Sequence, residues 1–422
     1  MQDVYIVAVG MIQFGKYPDK GIKDLTAMVM RNLFRHSPVQ QEQIEAAWMG
    51  NAGWGMSAGQ HCIRGQVALA PLGIGGIPIM NVENACAGGS SAFHGAWLGI
   101  AAGAYDVALA LGAEKTFVPP DADPEARKKA FSSFLAGTDV EVTTKLIEMM
   151  QAQAEERRRE MEQRGELKKG EGGGARSPFM DIYSMASRAH MERYGTTQRQ
   201  LAMIAAKNHY HGSLNPDAQY RMTMTVEEVL NDRLVSFPLT RAMCAPMGDG
   251  AAAAILVSAE YLKRLRDVRP VKVRASVLAS GSTKPGSHAK AAVRRVYDMA
   301  GVGPDDIDVT EVHDATAFGE LAQTESLDFC KEGEGGPYAE SGATKLGGAK
   351  PVNPSGGLEC RGHPIGATGL AQIAEIVYQL RGDAGARQVE GARLGLTENG
   401  GGFIGTGEAA LSIHIFEGPS GR

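Results

Sequence analysis

One cysteine, two histidines and a glycine-rich C-terminal run are the residues of this sequence that could do chemistry. Cys86 lies in Asn81-Val82-Glu83-Asn84-Ala85-Cys86-Ala87-Gly88-Gly89-Ser90-Ser91-Ala92, between the apolar Ile77-Pro78-Ile79-Met80 and a small-residue segment that runs to about residue 104. Ala92, Ala96, Gly99, Ala101 and Ala102 suit a closely packed helix, which puts the thiol at or just before a helix N-terminus. Unpaired N–H groups there stabilise an anion, so the expectation is a thiolate near neutral pH, a competent nucleophile. Gly88 and Gly89 leave room for a substrate beside the backbone. A lone cysteine also serves cores as a small apolar residue, and Cys86 alone leaves both readings open.

The histidines stand far downstream. His313 lies in Glu311-Val312-His313-Asp314-Ala315-Thr316-Ala317-Phe318-Gly319-Glu320-Leu321. His363 lies in Asn353-Pro354-Ser355-Gly356-Gly357-Leu358-Glu359-Cys360-Arg361-Gly362-His363-Pro364-Ile365-Gly366-Ala367-Thr368-Gly369. A single histidine is more often a satisfied core or surface residue than a catalyst. A Gly-His-Pro-x-Gly-Ala-x-Gly turn after a glycine-rich approach is far more specific.

The elements that must position these residues alternate. Residues 4–9, 44–49 and 107–112 read as strands, and residues 24–35 and 60–70 as helices, which indicates a layered α/β architecture. Helices are expected over 187–194, 198–209 and 225–233, and strands over 251–257 and 268–273. Gly248-Asp249-Gly250-Ala251-Ala252-Ala253-Ala254-Ile255-Leu256-Val257 resembles Gly405-Thr406-Gly407-Glu408-Ala409-Ala410-Leu411-Ser412-Ile413-His414 in pattern and place. The Cys86 turn likewise has a counterpart in the His363 turn. A duplicated fold would set two helix N-termini face to face and bring Cys86 to His363. The expected division is 1–116 with 188–262 as the first half and 263–422 as the second. Between them, 117–187 is an inserted loop and helical excursion with charged and glycine runs. It is either a solvated arm or a cap or partner dock.

Composition narrows the classes. The 422 residues carry a formal charge of −5, which gives no reason to expect nucleic acid or an anionic membrane surface. Five widely spaced cysteines without a Cys-x-x-Cys pair argue against a disulfide framework or zinc site and suit a reducing cytoplasm. The start reads as an alternating strand rather than a signal peptide. No apolar run approaches the roughly 20 residues of a membrane span.

The Cys86 turn, the His-Asp motif and the Gly-His-Pro turn, in this order, resemble the thiolase family. The match is to the branch related to sterol carrier protein 2, which has His-Asp where other thiolases have Asn-Glu-Ala-Phe. The resemblance covers nearly the whole chain, least well the excursion. It implies a duplicated αβαβα fold with two mixed five-stranded sheets. It also implies an acyltransferase that uses coenzyme A as a substrate and holds no permanent cofactor or metal. Cys86 would be the acylated nucleophile, His363 its activator, and His313 a polariser of the thioester oxygen that becomes an enolate. The N–H of Cys86 and of a glycine in Asn399-Gly400-Gly401-Gly402, taken as Gly400 or Gly401, would form an oxyanion hole.

The chain departs from the family at Ala315, where relatives carry an acid/base cysteine, and its last glycine motif has no cysteine either. Cys360 is the candidate replacement and Glu359 its competitor. The departure favours branched or aromatic 3-oxoacyl-CoAs, 2-benzoylsuccinyl-CoA among them. It leaves open a Claisen condensing enzyme, a retro-aldolase or a non-catalytic CoA-binding scaffold. Relatives pair as homodimers, which the resemblance places at the strand over 107–111, and some bind a small zinc-ribbon and OB-barrel subunit.

Overall fold

A computed structural model describes residues 1–119, 122–125, 135–145, 148–149, 178–282, 288–405 and 407–419. The charged run at 155–160 and the glycine run at 168–174 lie outside the described residues.

Eleven strands form among the described residues: β1 (Val4–Met11), β2 (Ala46–Gly50), β3 (Ile79–Val82), β4 (Val107–Glu114), β5 (Leu234–Ser236), β6 (Leu239–Thr240), β7 (Gly250–Ser258), β8 (Val271–Ser280), β9 (Val309–Glu311), β10 (Leu394–Gly401) and β11 (Ala410–Glu417). Apart from the β5–β6 hairpin they make one mixed sheet, in the order β3-β2-β4-β7-β1-β8-β11-β10-β9. The duplication is visible in that order. β7 runs antiparallel to β1 and to β4, as β11 does to β8 and to β10. β2 and β9 lie parallel to β4 and β10.

The layered fold is the expected one, but the two expected five-stranded sheets are joined. β1 and β8 pair through Tyr5–Lys272 and Ile6–Val271 alone. Each would otherwise be a free edge with unpaired N–H and C=O groups, and this short ladder covers part of both. Among the described residues the second half also lacks a full fifth strand. Where the first half has β3, the second has a single parallel bridge between Thr310 and Val352.

One further expectation is corrected. β4, proposed as the dimer strand, lies between β2 and β7 and is buried along its whole length. Both of its hydrogen-bonding edges are taken, so it cannot pair with a second copy. The free edge of the first half is β3, whose residues are half-buried or exposed.

The helix Gly88–Ala101 and the helix Thr368–Arg381 occupy the middle layer, in a buried cluster with Phe93, Ala96, Leu370 and Ile373 and residues of both halves of the sheet. Ile22–Arg35 packs on the outer face of the first half and His288–Ala300 on that of the second. The two central helices cross where glycine is required. A Cβ at Gly89 would lie 2.7 Å from the Gly366 carbonyl oxygen, and one at Gly369 would lie 2.7 Å from Ser90 N. Glu114, at the end of β4, fastens the crossing. Its buried carboxylate accepts the N–H groups of Ala52, Gly53 and Gly366 and the Asn51 amide, tying the loop after β2 to the turn after His363.

Within the excursion, the helix before Gly195 spans Pro178–Tyr194 and so starts well before the expected residue 187. Thr138 bridges to Phe403, and the Phe403 N–H donates to the Gly137 carbonyl at 2.8 Å. This described piece therefore rests against the end of the β10 glycine run.

Candidate active site

Cys86 sits in the single turn Ala85–Ala87 that opens into the Gly88–Ala101 helix. Ala85 just before it has φ of +46°, a strained conformation for a residue with a side chain. The Glu83 carboxylate holds the Ala85 N–H at 2.6 Å and so supports that turn. His363 comes from the equivalent turn ahead of Thr368–Arg381, and its Nε2 lies 3.3 Å from Cys86 Sγ.

Thr368 fixes how that contact works. Its Oγ1 donates its one proton to the Pro364 carbonyl at 3.0 Å, so toward His363 Nδ1, 2.7 Å away, it can only accept. His363 therefore carries its proton on Nδ1 and presents a bare Nε2 to the thiol. This is the arrangement of a nucleophile and its general base.

Burial changes the expected charge state. Taking the thiol out of water pushes Cys86 up to about 12, against the lowering effect of the Gly402 and Cys86 backbone N–H groups. The thiolate expected from the helix N-terminus is outweighed by desolvation. Burial, with His313 and Arg361 nearby, holds His363 well below the usual histidine range. The resting pair is a neutral thiol beside a neutral imidazole.

His313 completes the cluster. One ligand atom from each of Cys86, His313 and His363 falls within 4.8 Å of the others, and the two imidazole centroids are 5.2 Å apart. Burial lowers His313 to about 4, and neither ring nitrogen has a hydrogen-bond partner among the described residues. Its backbone is fixed by Glu398, whose Oε2 accepts the His313 N–H at 2.9 Å. Asp314 faces away and caps the helix Gly357–Arg361, accepting the Leu358 N–H at 2.7 Å.

The other expected residues fall differently. The backbone N–H groups of Gly402 and of Cys86 itself act to lower the Cys86 thiol, against its burial. Gly400 and Gly401 remain in β10, paired with Leu411 and Ala410. Cys360 is fully buried and packs on Gly212 of the helix Gln198–Ser213, outside the cluster. Glu359 is buried near Asp314, and burial together with that carboxyl pushes its own well above the usual range. Ala315 is buried and offers no titratable group.

Thr368, Glu398 and Tyr183 were missed. Thr368 was within reach of sequence reasoning, standing five residues after His363 at the start of the helix. Tyr183 was not, because only the fold brings its phenol into electrostatic range of Cys86, Glu398 and Glu408.

The chain matches the family described as thiolase, N-terminal domain, over residues 4–231, and thiolase C-terminal domain-like over residues 276–413. It belongs to the thiolase family. Among similar proteins, an acetyl-CoA acetyltransferase of Methanothermobacter thermautotrophicus is 38% identical over 99% of this chain and 100% of its own. Sterol carrier protein 2 of Bos taurus is 33% identical over 97% of this chain and 71% of its own. The benzoylsuccinyl-CoA thiolase subunit BbsB of Thauera aromatica is 33% identical over 92% and 91%.

Two solved structures share the fold. An Ltp2-ChsH2(DUF35) aldolase has a TM-score of 0.76 at 19% identity, covering 100% of this chain and 99% of that one. Human mitochondrial 3-ketoacyl-CoA thiolase in complex with CoA has 0.70 at 17%, covering 99% and 98%. The chain is thus a thiolase-family acyltransferase acting in acyl-CoA chemistry. None of the described helices is long and apolar enough to cross a membrane.

Proposed function

We propose that this thiolase cleaves a 3-oxoacyl-CoA with free coenzyme A into two acyl-CoAs through an acyl-Cys86 intermediate. The observation that carries the reading is the Cys86–His363–Thr368 relay, with Nε2 bare and 3.3 Å from the sulfur. His363 takes the thiol proton as Sγ attacks the 3-oxo carbon. The N–H groups of Cys86 and of a glycine in the 400–402 run, Gly400 or Gly401 by the family resemblance, receive the developing oxyanion. The C2–C3 bond then breaks, and the leaving acyl-CoA departs as an enolate whose thioester oxygen His313 and His363 stabilise. CoA thiolate finally lifts the acyl group from Cys86. Donors preorganised in this way typically contribute about 2.7–4 kcal/mol each.

The substrate we favour is branched or aromatic, with 2-benzoylsuccinyl-CoA as the specific candidate. Ala315 and the likeness to BbsB support it. For the assembly we propose a homodimer formed through the free β3 edge immediately before Cys86. A small zinc-ribbon and OB-barrel subunit is a further candidate partner, supported by the likeness to the two-component Ltp2-ChsH2(DUF35) aldolase. A cytoplasmic location fits the free cysteines.

Product analysis with and without free CoA tests the reaction. Thiolysis yields two acyl-CoAs and needs CoA. A retro-aldolase, the reading that the aldolase neighbour supports, cleaves without CoA. A scaffold subunit does neither.

A further inference from the structure

We propose that Cys86, His313 and His363 form a reversible binding site for zinc, which shuts the enzyme by occupying its nucleophile. The binding rests on geometry alone, and the shut-off on the Cys86 nucleophile proposed above.

The donor set comes first. A thiol sulfur and two imidazole nitrogens suit zinc, and the soft sulfur disfavours magnesium and calcium. Among the described residues, these are the three histidine, cysteine or acidic side chains whose ligand atoms converge, each within 4.8 Å of the others.

The spacing is close to what the metal needs. Tetrahedral zinc, about 2.3 Å from sulfur and about 2.0–2.1 Å from nitrogen, sets its ligand atoms about 3.3–3.6 Å apart. Cys86 Sγ and His363 Nε2 already stand at 3.3 Å. His313 is buried, and neither of its ring nitrogens has a hydrogen bond to give up among the described residues. It can close on the pair without breaking a contact of its own.

The surroundings are those of a ligand set. Thr368 Oγ1 keeps the His363 proton on Nδ1, so Nε2 offers its lone pair while Nδ1 donates to the hydroxyl. Metal-binding imidazoles are held in this way by the proton on their other nitrogen. Glu398 fixes the His313 backbone N–H at 2.9 Å. Arg361, the cation near His363, is compensated by a buried pair with Glu311 at 3.0 Å. Cys86 and His363 are half-buried, so a cation can reach them from solvent.

The exchange balances without an oxidant. The Cys86 S–H bond breaks, its electron pair forms the Zn–S bond, and the proton leaves to water. Both imidazoles bind through lone pairs and keep their N–H protons. Bound in this way, Sγ cannot attack a carbonyl carbon and His363 Nε2 cannot accept a proton. Withdrawing the zinc with a chelator returns a proton to the thiol.

The test titrates chelator-stripped protein with zinc and follows uptake by calorimetry. The iodoacetamide labelling of Cys86, mapped by peptide mass, and CoA-dependent thiolysis are read in parallel. Wild type is expected to take up one zinc per chain, to lose labelling and turnover together, and to regain both with EDTA. Cobalt(II) should give a thiolate-to-metal charge-transfer band. Cys86→Ala and His313→Ala should lose the saturable uptake and the band. Thr368→Val should weaken binding by about 10-fold, and Thr368→Ser should restore it, which keeps the test open if His313→Ala does not fold. Cys62→Ser, at the exposed cysteine beside His61, should bind as wild type. Absence of saturable uptake, uptake that survives in Cys86→Ala, or bound zinc that leaves Cys86 open to iodoacetamide overturns the site. Full thiolysis with zinc bound overturns the shut-off alone. No thiolysis by the stripped enzyme overturns the function proposed above and the shut-off with it, while uptake and labelling still decide the site.

Discussion

His363 Nε2 lies 3.3 Å from Cys86 Sγ although 277 residues separate them in the chain. The duplicated fold accounts for this, because each residue sits in the turn ahead of one of the two central helices. Glycines at 89 and 369 allow those helices to approach until the turns share a site.

Thr368→Val should leave the fold intact and remove the acceptor that keeps the His363 proton on Nδ1. Turnover is expected to fall by about 10-fold or more with little change in KM, while Thr368→Ser, which keeps the hydroxyl, retains most activity. A loss confined to KM would make Thr368 a binding residue.

His313→Ala should lower kcat by about 100-fold or more, the scale of one preorganised donor to a developing oxyanion. Steady-state kinetics check this. Unchanged kcat would show that the unpartnered ring nitrogens do not meet the reacting oxygen.

The pH dependence has a definite sign. His363 must be neutral to accept the thiol proton, and burial holds it well below its ordinary 6.5. The acylation rate should therefore stay level as pH falls through 6.5 and drop only below that. A half-maximal rate at 6.5 would mean that the imidazole is solvated rather than buried.

Much of this was legible in the sequence. The strand and helix alternation, the repeat of β7 in β11 and the meeting of Cys86 with His363 all follow from patterning that a duplication writes twice. What escaped reading depends on distance relations. Whether Cys86 rests as a thiolate is a contest between two N–H groups and the desolvation of a half-buried thiol, which only the fold decides. The place of β4 depends on which strands flank it, which alternation does not reveal. Cys360 stands three residues from His363, yet its helix Gly357–Arg361 turns it onto Gly212.

Gly369→Ala tests the helix crossing without touching a reacting group. The added methyl would press on Ser90 and Asn399 in a buried contact, at a cost of about 1–3 kcal/mol. Urea unfolding measures it. An unchanged midpoint would mean that the two helices have slack at their crossing.

The central claim is that Cys86 carries the acyl group, and intact-protein mass after incubation with an acyl-CoA addresses it most directly. The account predicts one acyl increment, mapped by peptide digestion to the Cys86 segment, absent in Cys86→Ala and removed by free CoA. An acyl group on another cysteine, or full turnover in Cys86→Ala, would contradict it.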